Sequence, residues 1–304
     1  MKGLELARRF YEEYGLPMLE KEFPDELPRM AIGLAGHGSE CFGFDDEISI
    51  DHDFEPGFCI WITEADDRDF GFRLMRAYTK LPKEYMGFKL KESSIYGTRG
   101  KGVHTIEDFY SFYLGSPSAP SGNRQWLSIP SFYLAEATNG EIFRDDSGVF
   151  SDIRETLLRG MPSDVRLKRL ASDVFTMAQA GQYNYSRCLS HGEKGASVFA
   201  LNDYCRSLVS ALFLLSGRHM PYYKWAIRAL RDIAEFASIA DEIDAALAEP
   251  LKASDFIESS SLLVRSRLTG SYGLKDIGDY LEGYSYALND LIADPELRNS
   301  PVML

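Results

Sequence analysis

Gly38-Ser39, followed by Asp51 and Asp53, is a set of residue types that can handle phosphate. The segment reads Leu34-Ala35-Gly36-His37-Gly38-Ser39-Glu40 and, after the acidic stretch Asp45-Asp46-Glu47, continues Ile48-Ser49-Ile50-Asp51-His52-Asp53. Glycine lets a backbone approach a phosphate closely, and N–H groups at a helix start favour negative charge. Two acids with one residue between them share one face of a strand. Such a pair can hold Mg²⁺ through oxygen ligands, with substrate phosphates completing the coordination. Crowded carboxylates near Asp51 repel one another without a cation, so Asp46 or Glu47 either shapes a metal site or sits in a solvated loop. His52 falls on the opposite strand face and reads as a packed residue. His37, inside the glycine segment, serves either loop packing or substrate contact.

The elements that must position these residues follow from apolar spacing. A helix is expected over residues 3–15, stopped by Gly15, with a second short helix from Pro17 to Phe23. Met30 to Ala35 reads as a buried strand leading into the glycine segment. A longer strand from Ile48 to Thr63 is interrupted at Pro56-Gly57. Glu64 to Asp69 opens a helix with Phe70, Phe72, Leu74, Met75 and Tyr78 as its apolar set. Residues 92–102 read as a loop or edge strand. Thr105-Ile106-Glu107-Asp108 has the form of a capping box that opens a helix ending at Gly115. Ile129 to Ala137 reads as a helix, and Asn139-Gly140 turns into a strand at Glu141-Ile142-Phe143. Beyond residue 150, spacing of three and four dominates, with helices expected at 150–160, 163–188, 195–215, 221–237, 240–247, 254–268 and 274–293.

The chain has 304 residues, 45% of them hydrophobic and 13% aromatic, enough for about two packed domains and against disorder. Its formal charge of −13 argues against nonspecific nucleic-acid binding, which depends on Lys and Arg neutralising phosphates. Cys41, Cys59, Cys188 and Cys205 form no close pair, so they are expected as free thiols rather than zinc ligands. The charged N-terminal stretch lacks an apolar signal region, and the apolar run at 208–215 is short for a bilayer, so a cytoplasmic place with no membrane partner is expected.

The glycine-serine pair, the spacer and the two acids resemble the nucleotidyltransferase superfamily related to DNA polymerase beta. More narrowly, segment 36–53 is similar to a bacterial family of uncharacterised domains with a Gly-x-Gly-Ser-Glu start and an Asp-Asp-Glu-x-Ser-x-Asp-His-Asp finish. Trp126-Leu127 through Leu134, Thr138 to Phe143, Asp146-x-Gly148 and Pro221-Tyr222-Tyr223-Lys224-Trp225 are similar to further segments of that family. The resemblance implies an α+β fold: a nucleotidyltransferase-type mixed sheet with flanking helices over 1–150, then an all-α helical bundle over 151–304. It implies that Gly38 and Ser39 contact the nucleotide phosphates and that Asp51 and Asp53 bind Mg²⁺, with Mn²⁺ able to substitute. A third carboxylate is expected on a neighbouring strand, but 101–105 reads Lys-Gly-Val-His-Thr. Glu107 or His104 is the candidate base in its place, although Glu107 and Asp108 also suit a helix cap. Lys224 resembles the helical-domain lysine that reaches triphosphate oxygens in related antibiotic nucleotidyltransferases, and reads otherwise as a snorkelling surface residue. Arg187 could contact phosphate, and Glu193 a cationic acceptor, or the two could form a salt bridge.

The expected activity is Mg²⁺-dependent transfer of a nucleoside monophosphate from a nucleoside triphosphate, ATP foremost, to a hydroxyl of a small molecule or protein. The alternative is a catalytically degenerate nucleotide-binding or antitoxin-like regulatory protein, for which the missing third acid speaks.

Overall fold

The computed structural model describes residues 1–46, 55–89 and 100–304. It comprises two compact units, one of Met1–Pro120 with Phe132–Arg159 and one of Ser121–Ser131 with Gly160–Leu304. The division therefore falls after residue 159 rather than at 150, because the helix Val149–Leu158 packs on the sheet of the first unit. Residues 121–131 leave that unit because their helix, Asn123–Ser128, packs on Ser163–Thr176.

The first unit is α+β. Its strands are β1 (Ala31–Leu34), β2 (Cys59–Ile62), β3 (Glu84–Tyr85), β4 (Phe88–Lys89), β5 (Gly102–Thr105) and β6 (Glu141–Asp145). Four of them form a sheet in the order β5-β2-β1-β6. β1 runs antiparallel to β2 and β6, whereas β2 and β5 are parallel, so the sheet is mixed. Both central strands are buried throughout, as apolar runs without polar alternation require.

Side-chain alternation divides the core between the two faces. Ile32, Ile60 and Ile62 join Phe10, Leu19, Phe70 and Leu74 from the helices Gly3–Glu22 and Glu64–Tyr78. Trp61 faces the other way, stacked on Phe150 at 4.3 Å and meeting Phe109 edge-on at 5.4 Å. Trp61 is fully buried. Exclusion of an aromatic of this size from water stabilises the unit by about 3–5 kcal/mol.

Two local expectations give way here. Gly15 does not end the first helix, which continues through a wider π-helical turn at Tyr11–Gly15 and on to Glu22. A Cβ at Gly15 would lie 2.4 Å from the Phe58 ring, so this glycine provides close approach rather than a stop. Phe72 and Met75 belong to the expected apolar set of their helix, yet 68% and 48% of their surface is exposed. The β3–β4 hairpin, turning at Met86 (φ 51°) and Gly87 (φ 85°), is a further element, with strands too short to show alternation.

The second unit is helical. Ser163–Ser190 runs as one rod that loosens into a π-helical stretch at Met177–Tyr185. It packs against Lys194–Leu215, Ser254–Tyr272 and Glu282–Asp290. Its core includes Tyr204, whose hydroxyl donates to Ile257 O at 2.9 Å and lies 2.7 and 3.0 Å from the Ser260 and Ser261 hydroxyls. By length and composition Lys194–Leu215 is apolar enough to cross a bilayer, but half of it is buried within the protein. The long helix expected over 274–293 is confined to Glu282–Asp290.

Candidate functional site: the loop after strand β1

β1 delivers the chain at Leu34 into a loop whose shape rests on two glycines. Gly36 has φ 110° and Gly38 φ 115°, a region that residues with a Cβ rarely occupy. Ser39 then leads into a single helical turn, Glu40–Phe42. Ser39 and Glu40 are buried, whereas His37 is exposed.

The loop is held from a distance. The Gly36 N–H donates to Asn139 Oδ1 at 2.8 Å, and Asn139 Nδ2 donates back to Gly36 O at 2.8 Å. The Gly140 N–H donates to Cys41 O at 2.8 Å, so Asn139 and Gly140 grip both ends of the loop. At Gly140 (φ +67°) a Cβ would lie 1.9 Å from Leu34 O, which no side chain tolerates. Arg154 in turn fixes the gripping turn. Its guanidinium donates to Thr138 O, Asn139 O and Gly140 O at 2.7, 2.9 and 3.2 Å. Burial lowers the Arg154 pKa, but a guanidinium remains charged at any physiological pH.

Around the loop lie three acid-containing contacts. His37 Nδ1 is 2.7 Å from Glu136 Oε2, with the Glu136 side chain only 11% exposed. That buried oxygen has no aligned hydrogen-bond donor. The His37 ring meets Phe112 and Tyr113 edge-on at 5.4 and 5.7 Å. Glu40 lies 3.8 Å from Lys101 Nζ, both side chains being more than nine-tenths buried. Lys101 also donates to Glu55 O at 2.6 Å. Asp45 accepts the Gly3 N–H at 2.8 Å and so caps the first helix.

Gly38 and Ser39 thus sit together on a shaped loop. Asp51 and Asp53, with Glu47 and His52, lie outside the described residues. Glu107 is engaged as a helix cap, its Oε2 accepting the Glu64 N–H at 3.0 Å, while Thr105 Oγ1 accepts the Asp108 N–H at 3.0 Å. His104 Nε2 is paired with Gly100 O at 2.8 Å. Asp145 accepts the Gly148 and Ser151 N–H groups at 2.9 and 2.8 Å and caps the next helix. Lys224 and Arg187 belong to the second unit. Lys224 Nζ lies 5.1 Å above the Trp225 ring, and Arg187 lies 5.6 Å above the Tyr183 ring, each exposed. Among the described residues, no three His, Cys, Asp or Glu side chains come together as a metal site.

All four cysteines are free, and Cys41, Cys59 and Cys205 are buried. Burial pushes the Cys59 thiol up to about 12, so it has no nucleophilic role. Sequence reasoning did not single out Glu136, Arg154 or the gripping function of Asn139. The Asn-Gly pair announced a turn, but nothing local announced its partner.

The first unit is therefore an α+β protein built on a small mixed sheet with a glycine loop after its first strand. Residues 126–226 match the model of a family described as a domain of unknown function, DUF4037. That stretch contains Glu136, Asn139, Gly140 and Arg154, and also Arg187 and Lys224. A nucleotidyltransferase-like protein from Exiguobacterium sibiricum, known from its crystal structure, is similar over 85% of this chain and 78% of its own. The identity is 11% and the TM-score 0.34. No curated protein matches the chain.

Proposed function

We propose that this protein is a nucleotidyltransferase that moves a nucleoside monophosphate from a nucleoside triphosphate, ATP foremost, to a hydroxyl of a small molecule or protein. The observation that supports the reading is the loop Gly36–Ser39, which follows a buried strand with two left-handed glycines and is clamped by Asn139. A backbone already fixed in this shape loses little entropy on binding and offers no Cβ to obstruct a phosphate. Transfer forms a bond from the acceptor oxygen to the α-phosphorus and breaks the bond to the bridging oxygen, so that pyrophosphate leaves. Such reactions depend mainly on positioning and charge neutralisation.

Asp51 and Asp53 would hold Mg²⁺, with Mn²⁺ able to substitute, and that cation would supply charge neutralisation at the phosphates. Gly38 and Ser39 would orient the terminal phosphates. The test is thermal stability of the purified protein with Mg²⁺ and each of the four nucleoside triphosphates at millimolar concentration. A ligand at one hundred times its Kd stabilises by about 2.7 kcal/mol, which raises the melting temperature by several degrees. No shift with any of the four would refute the reading.

One observation favours the regulatory alternative, a nucleotide binder without turnover. Glu107 is engaged at the start of the Glu64 helix, and β5 itself carries no carboxylate. Nucleotide-dependent stabilisation without pyrophosphate release in the presence of candidate acceptors would select that alternative.

A further inference from the structure

We infer that His37, held by Glu136, is the donor that binds the leaving pyrophosphate portion of the nucleotide; the inference rests on the proposed nucleotide-transfer reading. His37 stands between the two left-handed glycines and directly before the Gly38-Ser39 pair. Its side chain is 49% exposed, and its Nδ1 sits 2.7 Å from a carboxylate oxygen on a side chain only 11% exposed. A buried carboxylate is costly without a compensating positive charge or donors. The Glu136 oxygen lacks an aligned donor, and among the described residues the basic group beside it is His37. Glu136 therefore fixes the orientation of the His37 ring through Nδ1.

Among the described residues, two titratable groups beside the ring are neutral. Tyr113, on the helix Ile106–Leu114, is pushed well up by burial and stays a neutral phenol. Cys41, whose thiol meets His37 O, is likewise pushed well up by burial and stays a neutral thiol. Glu40 lies beside Lys101, and the two charges cancel. With Nδ1 held by Glu136, the exposed ring has its second nitrogen to present, an N–H donor when the ring is protonated. A donor in this loop, beside the residues expected to contact terminal phosphates, meets the oxygens that gain charge as pyrophosphate departs.

Binding of inorganic pyrophosphate and of ATP, each with Mg²⁺, is measured by calorimetry at pH 6 and pH 8. Histidine changes charge across this range. Wild-type protein is expected to bind pyrophosphate about tenfold more weakly at pH 8 than at pH 6, because a charge-assisted contact is lost. His37→Ala should bind about tenfold more weakly at pH 6 and lose the wild-type excess in pH dependence. His37→Gln, which preserves size and polarity, should behave as His37→Ala. Glu136→Gln, which no longer holds Nδ1 through a carboxylate, should weaken pyrophosphate binding at pH 6 toward the His37→Ala value; a merely structural role for Glu136 would leave that binding in place. If ATP and pyrophosphate bind and the pH dependence is the same in wild type, His37→Ala and His37→Gln, this inference falls and the nucleotidyltransferase reading stands. If wild-type protein binds neither at either pH, both fall.

Discussion

Asn139→Ala tests whether the distant grip sets the loop. The substitution removes two hydrogen bonds of 2.8 Å, one from the Gly36 N–H and one to the Gly36 carbonyl. Gly36 is buried, so both groups are left without their partner. An unsatisfied buried polar group costs about 1–3 kcal/mol, and partial entry of water into the vacated space reduces the sum to about 2–4 kcal/mol. That is a large part of the about 5–15 kcal/mol by which folded domains are stable. In a unit of this size each kcal/mol lowers the melting temperature by about 2–4 °C, so a fall of about 5–15 °C is expected by differential scanning calorimetry. Hydrogen exchange should rise first at Gly36 and Gly140, and stabilisation by nucleoside triphosphate should be lost even well below the melting temperature. Asn139→Asp keeps the acceptor for the Gly36 N–H but loses the donor to Gly36 O, and should fall between wild type and Asn139→Ala. An Asn139→Ala protein within about 0.5 kcal/mol of wild type, with its nucleotide-induced shift intact, would refute the clamp as the origin of the loop's shape.

Asp51→Asn and Asp53→Asn should each abolish Mg²⁺-dependent stabilisation by nucleoside triphosphate while leaving the melting temperature of the unliganded protein unchanged or raised, as removal of like-charge repulsion would do; a thermal shift series with and without Mg²⁺ reads both effects. Tyr204→Phe removes the hydroxyl that donates to Ile257 O and meets Ser261, while Ser260 keeps its bond to Phe256 O, and should cost about 1–3 kcal/mol in denaturant unfolding without altering nucleotide binding to the first unit. Asp173 is partly buried, and desolvation raises its carboxyl from 3.8 to about 7. Between those values the folded protein holds a proton that the unfolded chain has released, so stability declines as pH rises from about 4 to 7 and then levels off. Asp173→Asn should remove that decline and melt several degrees above wild type at pH 8; a steeper decline in the variant would reverse the assignment.

Much of the fold was legible because it is local. Thr105 as a cap, Gly115 as a left-handed stop (φ 69°) and the apolar spacing between them define the helix Ile106–Leu114 in both sequence and structure. The same holds for Ser254–Tyr272 and for the rod that begins at Ser163. Where a residue has two physical uses, sequence alone selects poorly. Gly15 can stop a helix or admit a neighbouring ring, and only the place of Phe58 decides for the second use. Glu107 can act as a base or cap a helix, and only the approach of the Glu64 N–H shows the cap. The apolar set that includes Phe72 and Met75 follows spacing, but a helix on a narrow sheet buries fewer faces than spacing suggests.

The candidate site follows the same rule with a longer reach. Gly38 and Ser39 are visible as a motif, whereas the residues that shape their loop are 103 positions away and leave no periodic trace. The loop lies outside the stretch matched by the family of unknown function, and its supports, Glu136, Asn139, Gly140 and Arg154, lie inside it. Arg154 belongs to a helix that begins only at Val149, beyond the last sheet strand. Arg154 holds the turn, the turn holds Gly36 and Cys41, and Gly36 to Ser39 take their form from both. A glycine loop alone is flexible and would lose entropy on every binding event. Here that loss is met during folding, by side chains outside the loop, so the geometry of the motif is a property of the whole first unit rather than of its glycines.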